Sequence, residues 1–318
     1  MSDNNIDSPK KDKSWLHSDI YDRPNVTKNL LPRLSIFKFG SFRDFISNLG
    51  KWVGQITLYA MIFPVLSILL FPGPAAWGGD QIYLAVAEVV KLTSFTVSVF
   101  LIIKVFDDSN IVEIGLKLNR QGFLDFLFGY TIIFLIFAFK FLLYWGAGLA
   151  KIEHFAWETR SFASVLWNMT AVLVIFIFVG WSEEILSRGF HLRIISKGLN
   201  RPLGIILSSA IFSYLHHDNP GITTEEYFSH FIFGIIMSFA FLRTGQLWLA
   251  MGLHTSWDFS VAIFTGTPLS DLKLFHLFDI TLSSQPAFYF LINMLSLAAI
   301  IILIREYTLQ RKVEIVDW

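Results

Sequence analysis

The sequence predicts an all-α polytopic membrane protein with about eight transmembrane helices and both termini in the cytoplasm. Three observations carry that prediction. Of the 318 residues, 54% are hydrophobic and 16% charged, against about 25% charged in a typical soluble domain, so there is too little polar surface to clothe a water-soluble globule. The apolar residues fall in long continuous runs, without the period-two alternation of an outer-membrane barrel strand. The basic residues gather on alternate connections between those runs. Lysine plus arginine and aspartate plus glutamate number 25 each, leaving no net charge to offer a nucleic acid, and there is no cysteine. A disulfide framework, a thiolate nucleophile and any cysteine-ligated zinc or iron–sulfur centre are therefore excluded.

A hydrocarbon core about 30 Å thick takes roughly 20 apolar residues per helix. Runs of that kind lie near 52–72, 83–103, 123–145, 163–187, 203–217, 227–242, 247–266 and 284–304. The fifth is too short to cross alone, and the fourth and seventh carry ionisable residues. With the N-terminus inside, the inner segments hold 20 basic residues and the outer segments 3, a strong positive-inside asymmetry. The first residues, MSDNNIDSPKKDKSW, contain no apolar stretch for a signal peptidase and too much aspartate for a transit peptide, so no cleavable targeting segment is expected. From Leu30 to Leu49 the tail mixes Leu, Ile and Phe with Arg33, Lys38 and Arg43, a composition suited to lying on the anionic inner leaflet; a tail that only sets topology is the alternative. No internal repeat or low-complexity run is present.

Ionisable side chains inside a span cost several kcal/mol by most scales, so each needs a partner, a route to the interface or a function. Glu88 and Lys91, three apart on the second run, read as a neutralising helical pair, and Lys140 near the outer end of the third as a snorkelling lysine. The remaining polar residues are concentrated. Trp181-Ser182-Glu183-Glu184-Ile185-Leu186-Ser187-Arg188, Phe212-Ser213-Tyr214-Leu215-His216-His217 and His254-Thr255-Ser256-Trp257-Asp258 place acids and imidazoles on three separate apolar helices. At roughly 1.5 Å per residue from the cytoplasmic helix ends, Glu183, His216, His254 and Asp258 all lie about 14–21 Å deep, provided the helix of Glu183 continues to about Ser196. Glu184 and Arg188 are i and i+4 in the favourable acid-first order, while Glu183 points about 100° away and is left to face a cavity. His254 and Asp258 also share a face. His217 is expected to be interfacial, with Asp218 as its partner, and His191 and His230 to be packing or surface histidines.

This constellation suits hydrolysis by activated water: Glu183 deprotonates the water, His216 holds it or shuttles its proton, and His254 donates to the developing oxyanion. Glu183-Glu184-xxx-Arg188, Phe212-xxx-His216 and His254-xxx-Asp258, in that order on successive helices, resemble the three motifs of the CAAX prenyl endopeptidase and bacteriocin-processing (CPBP, or Abi) family of intramembrane proteases. The run Arg243-Thr-Gly-Gln-Leu-Trp-Leu-Ala-Met-Gly-Leu-His254 resembles the segment that leads into the third motif. The resemblance covers about residues 163–265. It implies an eight-helix bundle with a cavity open to the cytosol, in which Glu183 is the base, His216 assists, His254 and residue 258 form the oxyanion pocket, and Glu184 and Arg188 hold the base in place. The family often has asparagine where this chain has Asp258. An ionised Asp258 would repel an oxyanion, so it is either protonated or orients His254 instead.

On this reading the chain divides into a polar, basic cytoplasmic tail (1–50), three helices without a motif (51–150), a catalytic helical core (151–304) and a cytoplasmic C-terminal tail (305–318). The resemblance implies an integral protein of the bacterial plasma (inner) membrane acting on a peptide or lipidated-protein substrate, with lipids but no nucleic acid as partners, and with no cofactor. The alternative for the chemistry is Zn²⁺ held by Glu183, His216 and His254, although no HExxH helix is present. The alternatives for function are a non-enzymatic bacteriocin-immunity or binding protein and a proton-coupled transporter; the latter usually shows inverted repeats, which are missing here.

Overall fold

A computed structural model of the full chain describes residues 80–107, 114–217, 219, 222–265 and 277–309, together with short stretches between 47 and 66. Expectations for the tail at residues 1–46, for Asp218, for the side chains of Glu88 and Lys91 and for part of the first run, which is helical where described, fall outside those residues. The described elements are α1 (Asp80–Asp107), α2 (Arg120–Gly146), β1 (Ala150–Phe155), the short α3 (Ala156–Thr159), α4 (Phe162–Glu184), a π-helix (Ile185–Leu192), α5 (Arg193–Gly198), α6 (Arg201–Tyr214), α7 (Thr224–Thr244), α8 (Trp248–Thr265), β2 (Phe278–Leu282) and α9 (Pro286–Leu309).

Local chemistry sets the boundaries. Asn119, Ser161 and Asn200 each turn a side-chain oxygen onto a backbone N–H of the helix that follows, satisfying one of the donors a helix start leaves open. Thr223 and Glu226 form a reciprocal capping box at the start of α7. At its other end Gly245 takes φ 64°, the left-handed conformation that ends helices and that glycine adopts without strain.

The run around Glu183 continues as expected: α4, the π-helix and α5 form one helical rod, Phe162–Gly198. That rod, α2, α7 and α9 are each long and apolar enough to cross a membrane, and the protein is an integral membrane protein. Four of the eight predicted spans therefore meet this measure among the described residues. Two of the others fall short for identifiable reasons: α6 has only 14 residues, and α8 has 18, with His254, Thr255, Ser256 and Asp258 in its middle. Arg188 and Arg193 lie on the rod and are buried.

A second departure from the all-α expectation is a two-stranded antiparallel sheet. β1, after α2, pairs with β2, before α9, in the register Ile152↔Ile280 and His154↔Asp279, with a bulge at Glu153. The pairing joins two connections at the same end of the bundle and gives their backbone groups partners. At the opposite end the α7–α8 turn is tied to the segment before α2: Leu247 donates its N–H to the carbonyl of Gly115, Gln246 accepts from the N–H of Lys117, and the Trp248 indole donates to the Lys117 carbonyl.

Lys140 is not a snorkelling lysine. It is buried, donates to Asn293 Oδ1 at 2.6 Å and lies over the ring of Phe137, joining α2 to α9.

The core centres on α8, which is buried nearly all round and packs on α2, α4 and α7. Small residues allow the close approach. A Cβ on Gly129 would lie 2.6 Å from the Leu249 carbonyl oxygen, one on Gly180 would lie 2.7 Å from Thr255 Oγ1, and one on Gly252 would strike the Phe126 carbonyl. These three crossings fix the depth and rotation of the helix that carries His254. Gly252→Ala is accordingly expected to cost about 1–3 kcal/mol through overpacking, seen as a lower unfolding midpoint in detergent; an unchanged midpoint would show that α2 and α8 can part without penalty.

Candidate active site

Glu183 and Glu184 end α4, at the point where the α-helix gives way to the π-helix. Such a segment alters the i→i−4 ladder and re-aims the side chains that follow, and it recurs at functional sites. Through it Glu184 and Arg188 become wholly buried, Arg188 Nη1 donating to Glu184 Oε1 at 2.8 Å. The second guanidinium nitrogen donates to the Gly234 carbonyl on α7 at 3.0 Å, and the guanidinium carbon lies 4.6 Å from the centre of the Phe212 ring on α6. Gly234 is small because a Cβ there would come within 2.9 Å of Ser209 on α6. One arginine thus touches three helices.

Glu184 has a second partner. Its Oε1 lies 2.7 Å from His254 Nδ1, from α8. That short bond gives Nδ1 its hydrogen and orients the ring so that Nε2 faces the other acids: Asp258 Oδ2 at 3.5 Å and Glu183 Oε2 at 3.7 Å. The rings of Phe212 and Phe233 stand edge-on to the imidazole, 5.7 and 6.0 Å away, and His254 is 2% exposed, against 24% for the Glu183 side chain.

His216 completes the group from the other side, its Nε2 3.7 Å from the same Glu183 Oε2. Its placement differs from the sequence expectation. α6 ends at Tyr214, so His216 stands on the turn beyond it and not on the helix. Nδ1 donates to the Phe212 carbonyl at 2.7 Å; since a carbonyl can only accept, the neutral ring keeps its lone pair on Nε2, facing Glu183. His217 is exposed, stacks on Tyr214 and bonds its carbonyl, away from the group. His191 is buried beside Phe190 and Tyr59. His230, expected as a packing or surface residue, packs its ring against that of His216.

The structure therefore brings together all six residues that the sequence singled out, from α4, the π-helix, the turn after α6, and α8. Sequence reasoning missed the Gly234 carbonyl, the Glu184–His254 bond and His230. The first two join residues 46 and 70 positions apart, and no periodicity within one helix can reveal them. Among the described residues, no set of three or more His, Asp or Glu side chains is disposed to hold a metal ion.

Arg188 and Glu183 should separate in a stability assay. Arg188→Met leaves a buried carboxylate short of its partner and is expected to cost about 3–5 kcal/mol, whereas Glu183→Gln, at the partly exposed edge of the group, should move the unfolding midpoint little. Equal effects in thermal unfolding in detergent would contradict this division between a buried scaffold and a partly exposed edge.

A search of curated proteins returns no match for this chain. Residues 165–260 match the family model described as type II CAAX prenyl endopeptidase Rce1-like, a segment that contains every residue of the group just described. Through this segment, from α4 to α8, the protein is similar to the Rce1-like CAAX prenyl endopeptidases, and the match supports the resemblance to the CPBP family.

Proposed function

We propose that the protein is an intramembrane endopeptidase that cleaves a peptide bond in a lipid-modified or membrane-associated peptide by glutamate-activated water. The family match supports CAAX-type protease activity. The observation that carries the finer reading is the position of Glu183 Oε2, 3.7 Å from both His216 Nε2 and His254 Nε2. These separations are too long for direct hydrogen bonds and suit a small bridging molecule that each group contacts.

Water in that position is deprotonated by Glu183 while its oxygen attacks the scissile carbonyl carbon. His216 accepts a hydrogen bond from the water at Nε2 and keeps the attacking lone pair directed. The carbonyl oxygen gains the electron pair and is met by the Nε2–H of His254, which acts as an imidazolium with its Nδ1–H remaining on Glu184. Collapse of the tetrahedral adduct breaks the C–N bond, and the proton held on Glu183 passes to the departing amine. The products are a carboxylate and a new N-terminus. No covalent enzyme intermediate forms, consistent with the absence of cysteine.

Glu184 already holds Nδ1 of His254, so Asp258 is left to act on the Nε2 side. As a neutral acid it would donate to the oxyanion, the part an asparagine amide plays in the commoner motif. The resemblance together with the buried site favours a substrate whose lipid chain lies in the bilayer.

Farnesylated and unmodified CAAX-type peptides, and leader-type peptides, should be incubated with purified protein and the products identified by mass. The expected result is a single cut by the wild type, a rate lower by about 10²–10⁴-fold in Glu183→Gln, the range set by loss of a general base, and no loss on treatment with a chelator. Unchanged cleavage by Glu183→Gln would remove Glu183 from the mechanism. Inhibition by the chelator, reversed by Zn²⁺, would favour a metal held by Glu183, His216 and His254, and binding without cleavage would favour the immunity or scaffold role. For Asp258 the expected order is Asp258→Asn close to wild type and Asp258→Ala impaired; the reverse would show that its carboxylate is needed ionised.

A further inference from the structure

Of the two imidazoles around Glu183 Oε2, that of His254 stands on continuous helix, but His216 lies on the turn at 215–217. A side chain in mid-helix has its rotamer restricted by the preceding turn. One on a connecting turn lacks that restriction and must be held from outside. The Phe212 carbonyl fixes one ring nitrogen of His216, which still leaves rotation of the ring about that bond. The other constraint is a second imidazole: His230 of α7 lies with its ring centre 4.5 Å from that of His216 and its plane inclined by 29°.

His230 is itself fixed. Its Nδ1 donates to the Glu226 carbonyl one turn earlier at 2.7 Å, and Glu226 belongs to the capping box that begins the helix, bonding the N–H of Thr223 at 2.7 Å. Ser213 Oγ donates to the Tyr227 carbonyl at 2.8 Å, so the last turn of α6 is fastened to the first turn of α7. The Phe212 ring, 4.6 Å from the imidazole of His216, supplies another wall.

We infer that His230 is a positioning residue, whose ring stacks on His216 and holds its Nε2 toward Glu183. This rests on the proposed hydrolytic reading for its kinetic consequence but not for its structural one. What it supplies is a flat ring on a rigid helix, so an aromatic ring without nitrogen should serve.

The test uses the full-length protein in detergent, as wild type, His230→Ala and His230→Phe, with two readouts. With a farnesylated CAAX-type peptide as probe, His230→Ala is expected to lower kcat about tenfold, as a sub-ångström misplacement does, with KM within about twofold, and His230→Phe to recover most of the loss. In ¹⁵N-histidine spectra, with the His216 signals identified by their disappearance in His216→Gln, the wild type and His230→Phe should show a single Nδ1–H tautomer. His230→Ala should show averaging of the two. Wild-type kcat in His230→Ala, or an unaveraged His216 signal there, overturns the inference. A His230→Phe variant as impaired as His230→Ala also overturns it, by showing that the nitrogen and not the ring is required. Should the wild type cleave none of the peptides, the hydrolytic reading fails, and the spectra alone decide the position of His216.

Discussion

The arrangement of this protein depends on one buried carboxylate oxygen. Oε1 of Glu184 accepts from Arg188 at 2.8 Å and from His254 at 2.7 Å, and Arg188 continues to Gly234 and Phe212. Four segments, the α4–π junction, α6, α7 and α8, are joined through one acid and one guanidinium. In a bilayer interior no water would satisfy either charge, so the groups stabilise the bundle only while all are present. The same contact fixes which nitrogen of His254 is turned outward. Stability and the geometry for chemistry are in this way set by the same bond.

The scaffold around that bond is built to permit close approach. The π-helix changes the direction of Arg188 relative to a regular helix, and the glycines at 129, 180, 234 and 252 let backbones meet where a methyl group would intrude. These devices weaken individual helices, since glycine and irregular winding both cost helical stability. They are located at the crossings of α4, α7 and α8 with their neighbours, next to Glu183 and the two imidazoles, where the position of a ring matters more than the strength of one helix.

How much of this could be read in advance follows from the range of each signal. Hydropathy acts along a single run, and it located α1, α2, α4, α7, α8 and α9. The i, i+4 spacing of Glu184 and Arg188 predicts their pairing because both stand on one helix. The bond from Glu184 to His254 leaves no periodic trace, and neither does the ring of His230 against His216. Lys140 was assigned to the interface from its own position, while its partner Asn293 sits in another apolar run, 153 residues away. The two strands leave no signal in the sequence because each has only five or six residues and its partner lies beyond the whole segment from α4 to α8. His216 was placed on a helix that in fact ends two residues earlier, and this difference is what makes its support by His230 necessary.

The central claim, that Glu184 joins His254 energetically and not merely in space, is tested most directly by a double-mutant cycle on unfolding free energy with Glu184→Gln, His254→Asn and the pair. The account predicts a coupling of about 1–3 kcal/mol, the range for residues sharing one buried network. Additive losses, with a coupling indistinguishable from zero, would contradict it and leave the two residues as neighbours without a shared role.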